Sequence, residues 1–144
     1  MATVVAADLY SKIPPADSDG CVNVNEGTIT SAAQTSGDLF FFCKVPAGSR
    51  VHDLRVVNSA SSASTTMQFG LVPLSDLTDT TLAGHFSAAA SIASAGLRRK
   101  DAANAPITLS EDHYVVGTLG GANIATSTTI STEVDYVYEG PGAS

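Results

Sequence analysis

This chain has no tryptophan, few charged side chains, two cysteines, three histidines and no long apolar run. Each shortage excludes something. Charged residues make up 15% of its 144 positions, and fourteen Asp and Glu outnumber seven Lys and Arg, for a net charge of −7. Nucleic-acid binding needs a basic footprint to displace counterions from phosphates, so this balance argues against a nucleic-acid partner. No stretch approaches the ~20 apolar residues of a membrane-spanning helix. The opening Met1-Ala-Thr-Val-Val-Ala-Ala7 is too short for a signal peptide and lacks its basic start. No membrane partner is therefore expected. Cys21 and Cys43 have no CxxC spacing, and without a secretory signal both read as reduced thiols made in a reducing cytoplasm. With no Trp, the aromatic platform of an ordinary sugar-binding sandwich is also missing.

What the chain does have is small residues and alternation. Ala, Ser, Thr and Gly fill close to half of it, a composition suited to flat packed sheets and to neighbours in an assembly. Its length suits one domain with a real core. The richest stretch is Asp38–Val57, two strands joined by Pro46-Ala-Gly-Ser49. Strict alternation would put Leu39, Phe41, Cys43 and Val45 on one face of the first strand and Phe40, Phe42 and Lys44 on the other. Both faces are then apolar, and the second needs a cover, supplied by another layer or by another protein.

Residues 1–20 read as an extended arm, with Pro14-Pro15 blocking a helix and Ala16–Gly20 forming a turn. Strands are predicted at Thr28–Thr30, Leu39–Val45, Arg50–Val57, Thr65–Leu71, Ile107–Leu109, Tyr114–Leu119 and Ile130–Tyr138, the last with the strongest period-two signal. Leu82–Ala95 is alanine-rich, which favours helix by propensity; its neighbours favour strand, and strand is the reading taken. Gly96–Pro106 reads as a loop carrying Arg98-Arg99-Lys100, and Gly117–Gly121 as a hairpin turn. The sum is an all-β, single antiparallel β-sandwich of jelly-roll type over 21–144, with an N-terminal arm over 1–20.

Chemical signatures are scarce. There is no Gly-x-Ser-x-Gly elbow, and His52 and Asp53, adjacent in a strand, point to opposite faces. His52, His85 and His113 form no ligand pattern. Asp17-Ser-Asp19-Gly20 departs from a calcium loop, with Cys21 and Val22 where an acid and a glycine belong. Glu133, Asp135 and Glu139 share a strand face, which reads as a solvated acidic face that blunts aggregation. No enzyme activity, cofactor or metal site is expected.

The strand ending in Val45-Pro-Ala-Gly-Ser49 and running into Val51-His-Asp-Leu54 resembles the small β-sandwich proteins of tailed-phage heads. So do Phe69-Gly-Leu71, Tyr114-Val-Val-Gly-Thr-Leu-Gly-Gly121 and the terminal Val134–Tyr138 strand. Over roughly 27–139 the chain resembles the capsid cement (decoration) proteins, such as that on a Bordetella phage head. The resemblance implies a jelly-roll protein on the outer surface of the virion that bridges the major capsid protein lattice; it carries no catalytic residues to transfer. The expected partners are the major capsid protein and a second copy of the chain. The residues expected at interfaces are Val4, Val5, Leu9, Tyr10 and Ile13 of the arm, Phe40 and Phe42 of the aromatic strand, and Arg98, Arg99 and Lys100. A carbohydrate- or receptor-binding β-module of the virion is the alternative.

Overall fold

The computed structural model describes residues 3–7, 9–10, 13–15, 22–32, 34–101 and 104–140. Within them the chain is all β and carries no helix. Its strands are β1 (Thr3–Val5), β2 (Val22–Thr30), β3 (Leu39–Val45), β4 (Ser49–Asn58), β5 (Thr66–Pro73), β6 (Ser87–Ser91), β7 (Gly96–Arg99), β8 (Ile107–Thr108), β9 (His113–Gly120) and β10 (Thr129–Tyr138). They form two sheets. Sheet I has the order β1-β3-β9-β5-β6; sheet II has the order β2-β10-β4-β7, with β8 also on β4. All pairings are antiparallel except β1 on β3.

The core lies between the sheets. Phe40, Phe42, Met67, Phe69, Leu54, Val134 and Tyr136 are all fully buried, and the Phe42 ring packs against Phe40 at 6.3 Å and Phe69 at 6.2 Å between centroids. Burying a large apolar side chain is worth ~1.5–3 kcal/mol, so this cluster supplies much of the drive to fold. The Tyr136 hydroxyl donates to the Pro15 carbonyl; burial raises its pKa well above that of a free tyrosine.

The structure corrects the sequence reading of β3. The pairing with β9 slips between Phe41 and Cys43, so Phe42 is the extra residue of a β-bulge and strict alternation ends there. Phe40 and Phe42 share the inner face, while Phe41 turns outward and packs on Tyr114 at 5.2 Å between centroids. Cys43 is buried, in register with Val115. Phe40 and Phe42 are both 0% exposed within their own chain, which removes them from any interface.

The outer face of sheet I is covered by the same chain. The connection from Leu74 to Phe86 folds back over it, and the Leu71 amide donates to Leu82 O at 2.8 Å. Gly70 makes the close approach possible, because a Cβ there would stand 2.1 Å from Leu82 O and 2.3 Å from Ala83 C. At the other edge, β1 pairs with β3 through Thr3↔Leu39 and Val5↔Phe41, the Ala6 amide donates to Phe41 O at 2.9 Å, and Leu9 is 3% exposed. The predicted free arm is thus laid along its own sandwich at Val4 and Leu9, because these apolar side chains find cover there. Asp8, Ser11, Lys12 and 16–20, with the turn and acidic cluster read in them, lie outside the described residues, as does Cys21.

Three smaller differences have equally local causes. The predicted short strand Thr28–Thr30 is the end of a nine-residue strand whose pattern is inverted: Val22 and Val24 are exposed, whereas Asn23 and Asn25 are buried. Asn25 Nδ2 donates to Lys44 O at 2.8 Å, so an amide facing inward is satisfied by the backbone of β3. Gly96–Arg99 is a strand rather than a loop, paired with Arg55–Asn58 of β4. Gly117 and Gly120 lie inside β9 rather than in a hairpin turn.

Candidate functional site

Among the described residues, sheet II leaves large apolar side chains exposed on its outer face. Its register aligns Glu26, Glu133, Arg55 and Arg99 in one row across β2, β10, β4 and β7. The next row holds Val24, Asp135 and Asp53, and the row on the other side holds Thr28, Ser131, Val57 and Leu97. Arg55 is the centre. Its guanidinium donates to Asp135 Oδ2 at 2.7 Å and to Glu133 Oε2 at 2.9 Å, and hydrogen bonds from these two carboxylates hold its pKa above that of a free arginine. Arg99 pairs with Asp53. Burial pushes the Asp53 carboxyl up, but Arg99, the Leu54 amide and Arg55 together outweigh it and leave the group below its ordinary value.

Apolar side chains flank this ionic row. Val57 and Leu97 face each other across β4 and β7 and are 55% and 66% exposed. On β2, Val22 and Val24 are exposed as well. A large apolar pair left bare beside a preorganised charge clamp has the composition of a binding surface, with apolar contacts supplying area and the clamp supplying register. The sequence contained the signal for Val57: it alternates with Arg55 against buried Leu54 and Val56. For Val22 and Val24 the inverted β2 pattern concealed it.

The residues predicted to bind partners do not gather in one place. Tyr10 and Ile13 are 76% and 87% exposed, Val5 is at the margin of exposure, Val4 is half-buried, and Leu9, Phe40 and Phe42 are buried. The basic triplet splits up. Arg98 turns inward, donating to Met67 O at 2.6 Å and Ala90 O at 2.9 Å with its guanidinium 5.2 Å above the Phe69 ring; its predicted partner role gives way to a structural one, because the carbonyls along β6 and β5 take its donors. Arg99 stays on the surface, tied to Asp53, and Lys100 donates to Asn104 O.

Hollows open on each sheet among the described residues. One, about 470 Å³, lies over β2 and β10 between Ala7, Glu26, Thr28, Ser131 and Glu133. The other, about 370 Å³, is the part of sheet I's outer face that the Leu74–Phe86 connection leaves uncovered; Leu39, Phe41, Val72, Leu77 and Ala83 line it, and Thr118 stands among them. Among the described residues no group of three or more His, Cys, Asp or Glu is placed to hold a metal ion. Glu133, which lines the first hollow, and Asp135 converge on Arg55, and His113 is buried with Nδ1 2.8 Å from Glu111 O.

Neither the protein-family models nor the curated proteins contain a match to this chain. Solved structures do. A chain of the capsid of Ralstonia phage GP4 superposes with a TM-score of 0.79 at 19% identity, covering 99% of this chain and 100% of that one. A chain of the cyanophage Pam1 capsid asymmetric unit gives 0.63 at 17% identity, covering 87% and 90%. A chain of the acidic stable capsid of Helicobacter pylori bacteriophage KHP30 gives 0.51 at 16% identity, covering 81% and 95%. At these identities the likeness is one of fold.

Proposed function

We propose that this chain is a structural protein of a bacteriophage virion: a jelly-roll cement, or decoration, protein that binds the outer surface of the major capsid protein lattice across capsomer boundaries and does no chemistry. The observation that carries the reading is the end-to-end likeness to a chain of the Ralstonia phage GP4 capsid, 99% of this chain against 100% of that one. Strand order supports the jelly-roll assignment. Apart from β1 and β8, the chain lays eight strands into two four-stranded sheets, β2-β10-β4-β7 and β3-β9-β5-β6, the double-sheet arrangement of that fold.

Sheet II is the face we assign to the shell. Its bare Val57–Leu97 pair and its Arg55 clamp offer a flat surface, and a contact near ~1,200 Å² per copy would suffice because it repeats over a closed lattice. A subunit that binds the intact shell and not the ruptured one stabilises it by mass action. The acidic balance suits the outside of the shell, away from packaged DNA. Made in the host cytoplasm, the protein would add to assembled heads and associate there with its own copies.

The test compares particles carrying and lacking this protein under heating and osmotic shock, after full occupancy is established by electron microscopy. A higher rupture threshold with the protein bound is expected. Equal thresholds at full occupancy would overturn the cement role, and density on the inner surface would overturn the placement.

A further inference from the structure

The groove left open on sheet I has the properties of a receptor for one side chain. Leu39, Phe41, Val72, Leu77 and Ala83 form its apolar walls, Gln68 and four threonines add to the lining, and among the described residues no charged one lines it. At about 370 Å³ it falls within the ~300–1,000 Å³ range of binding pockets. Thr118 contributes a hydroxyl oxygen that is buried and has no hydrogen-bond partner among the described residues. A buried hydroxyl without a partner costs ~1–3 kcal/mol, a cost removed when an incoming segment supplies a backbone N–H or C=O. The rim loop, however, is acidic: Asp76 and Asp79 lie within it, and no Lys or Arg occurs between positions 56 and 97.

The same chain carries a matching insert. Ile13 is 87% exposed, more than any other large apolar side chain among the described residues. Chain on either side of it is tied down: Leu9 is buried, and Pro15 accepts a hydrogen bond from the core residue Tyr136. Pro14-Pro15 stiffens the chain directly after it, so less conformational freedom is lost when the side chain docks. From Leu9 to Pro15 the sequence holds one charge, Lys12, opposite in sign to the groove's rim. We infer that the groove on sheet I receives Ile13 of a second copy of this chain. Apolar contact fills the hollow, and opposite charge favours this docking in a protein whose net charge of −7 otherwise repels its own kind. Two reciprocal insertions close a two-fold dimer; one-way insertion builds a ring or a chain.

The experiment uses the purified full-length protein without any shell, so its outcome is separate from that of the cement reading. A photoreactive phenylalanine analogue replaces Ile13, copies labelled with ¹⁴N and ¹⁵N are mixed and irradiated, and the linked peptides are sequenced by mass spectrometry. Mixed-isotope links to Leu77–Ala83 or Leu39–Phe41 are expected. In sedimentation, Ile13→Asp and Leu77→Asp should each weaken self-association by about tenfold or more, the loss of one buried aliphatic contact. Both positions are solvent-exposed, so an unchanged melting temperature certifies that each variant is folded. Links confined to single copies, links to any other surface, or unchanged association of both folded variants would overturn the inference.

Discussion

Sheets I and II are built alike but finish their outer faces in opposite ways. Sheet I has apolar residues on both faces of its central strands and covers the outer one with its own chain, using the Leu74–Phe86 connection, while the N-terminal strand β1 extends its edge. Sheet II has a polar outer face with Val57 and Leu97 left bare beside an ionic row. Cover supplied in the same chain turns apolar surface into folding stability; surface left bare contributes little to the fold and is available to a partner. Substitutions on sheet I should therefore be read out in stability, and substitutions on sheet II in association.

The largest effect is expected at Gly70. Gly70→Val places a side chain where Leu82 and Ala83 now cross the sheet, so the cover must lift and expose Phe41, Val72 and their neighbours. A loss of ~3 kcal/mol or more is expected in denaturant unfolding. A loss below ~1 kcal/mol would mean that the cover is not integral to the fold. Next comes Arg98→Ala, which leaves Met67 O and Ala90 O without their guanidinium donor and removes the cation from the Phe69 face. About 2 kcal/mol is expected. Because β6 is an edge strand of small uncharged residues, Ser87-Ala-Ala-Ala-Ser91, the variant should also aggregate faster on warming.

On sheet II the same kind of change should be milder. Arg55→Gln breaks a clamp whose side chains are 32%, 46% and 18% exposed, and solvent screening limits the loss to about 0.5–1 kcal/mol. Binding to capsid shells should fall in the same variant, with raised salt weakening the wild type modestly in the same direction. A stability loss as large as that of Arg98→Ala would break the comparison between the sheets.

The sequence disclosed the strands better than it disclosed their faces. β10 was legible because apolar and polar residues alternate along it, and β4 because Val51, Leu54 and Val56 stand among polar residues, although its pairing with β10 slips at His52. β3 was legible as a strand, but its bulge at Phe42 was not, since a bulge is set by the pairing with β9 and leaves no local mark in Leu-Phe-Phe-Phe-Cys. Phe40 and Phe42 share a face, as alternation predicts, but alternation does not say which of two apolar faces the core takes, so they were assigned to an interface that their burial excludes. Val22 and Val24 escaped notice because Asn23 and Asn25 point inward, where Asn25 donates to Lys44 O of β3. Arg98 read as a surface charge because propensity cannot show that β5 and β6 present carbonyls to it. In each case the missing information was a partner brought near by the fold.

The smallest effect expected is the response to acid, and it separates the two faces once more. His85 belongs to the cover of sheet I: its backbone carbonyl accepts from Asn104 Nδ2, its ring packs edge-on to Phe86 at 5.6 Å, and its Nε2 is buried without a partner among the described residues. Burial lowers its pKa below 6.5; a hydrogen bond with the Ala105 backbone opposes this, and nearby Lys100 adds to it. The unfolded chain therefore binds the proton more readily than the folded one, so stability falls as pH drops through 6.5 towards the lowered folded value. Asp53, on sheet II, behaves in the other window. Its carboxyl is held below 3.8, so the stability it contributes persists through the window in which His85 titrates and is lost only as pH falls below that ordinary value. Melting temperatures measured between pH 7 and 5 should decline for the wild type and decline less for His85→Gln, whereas Asp53→Asn should leave the slope in this window unchanged. Parallel slopes for the wild type and His85→Gln would show that the cover of sheet I is not sensitive to acid through this histidine.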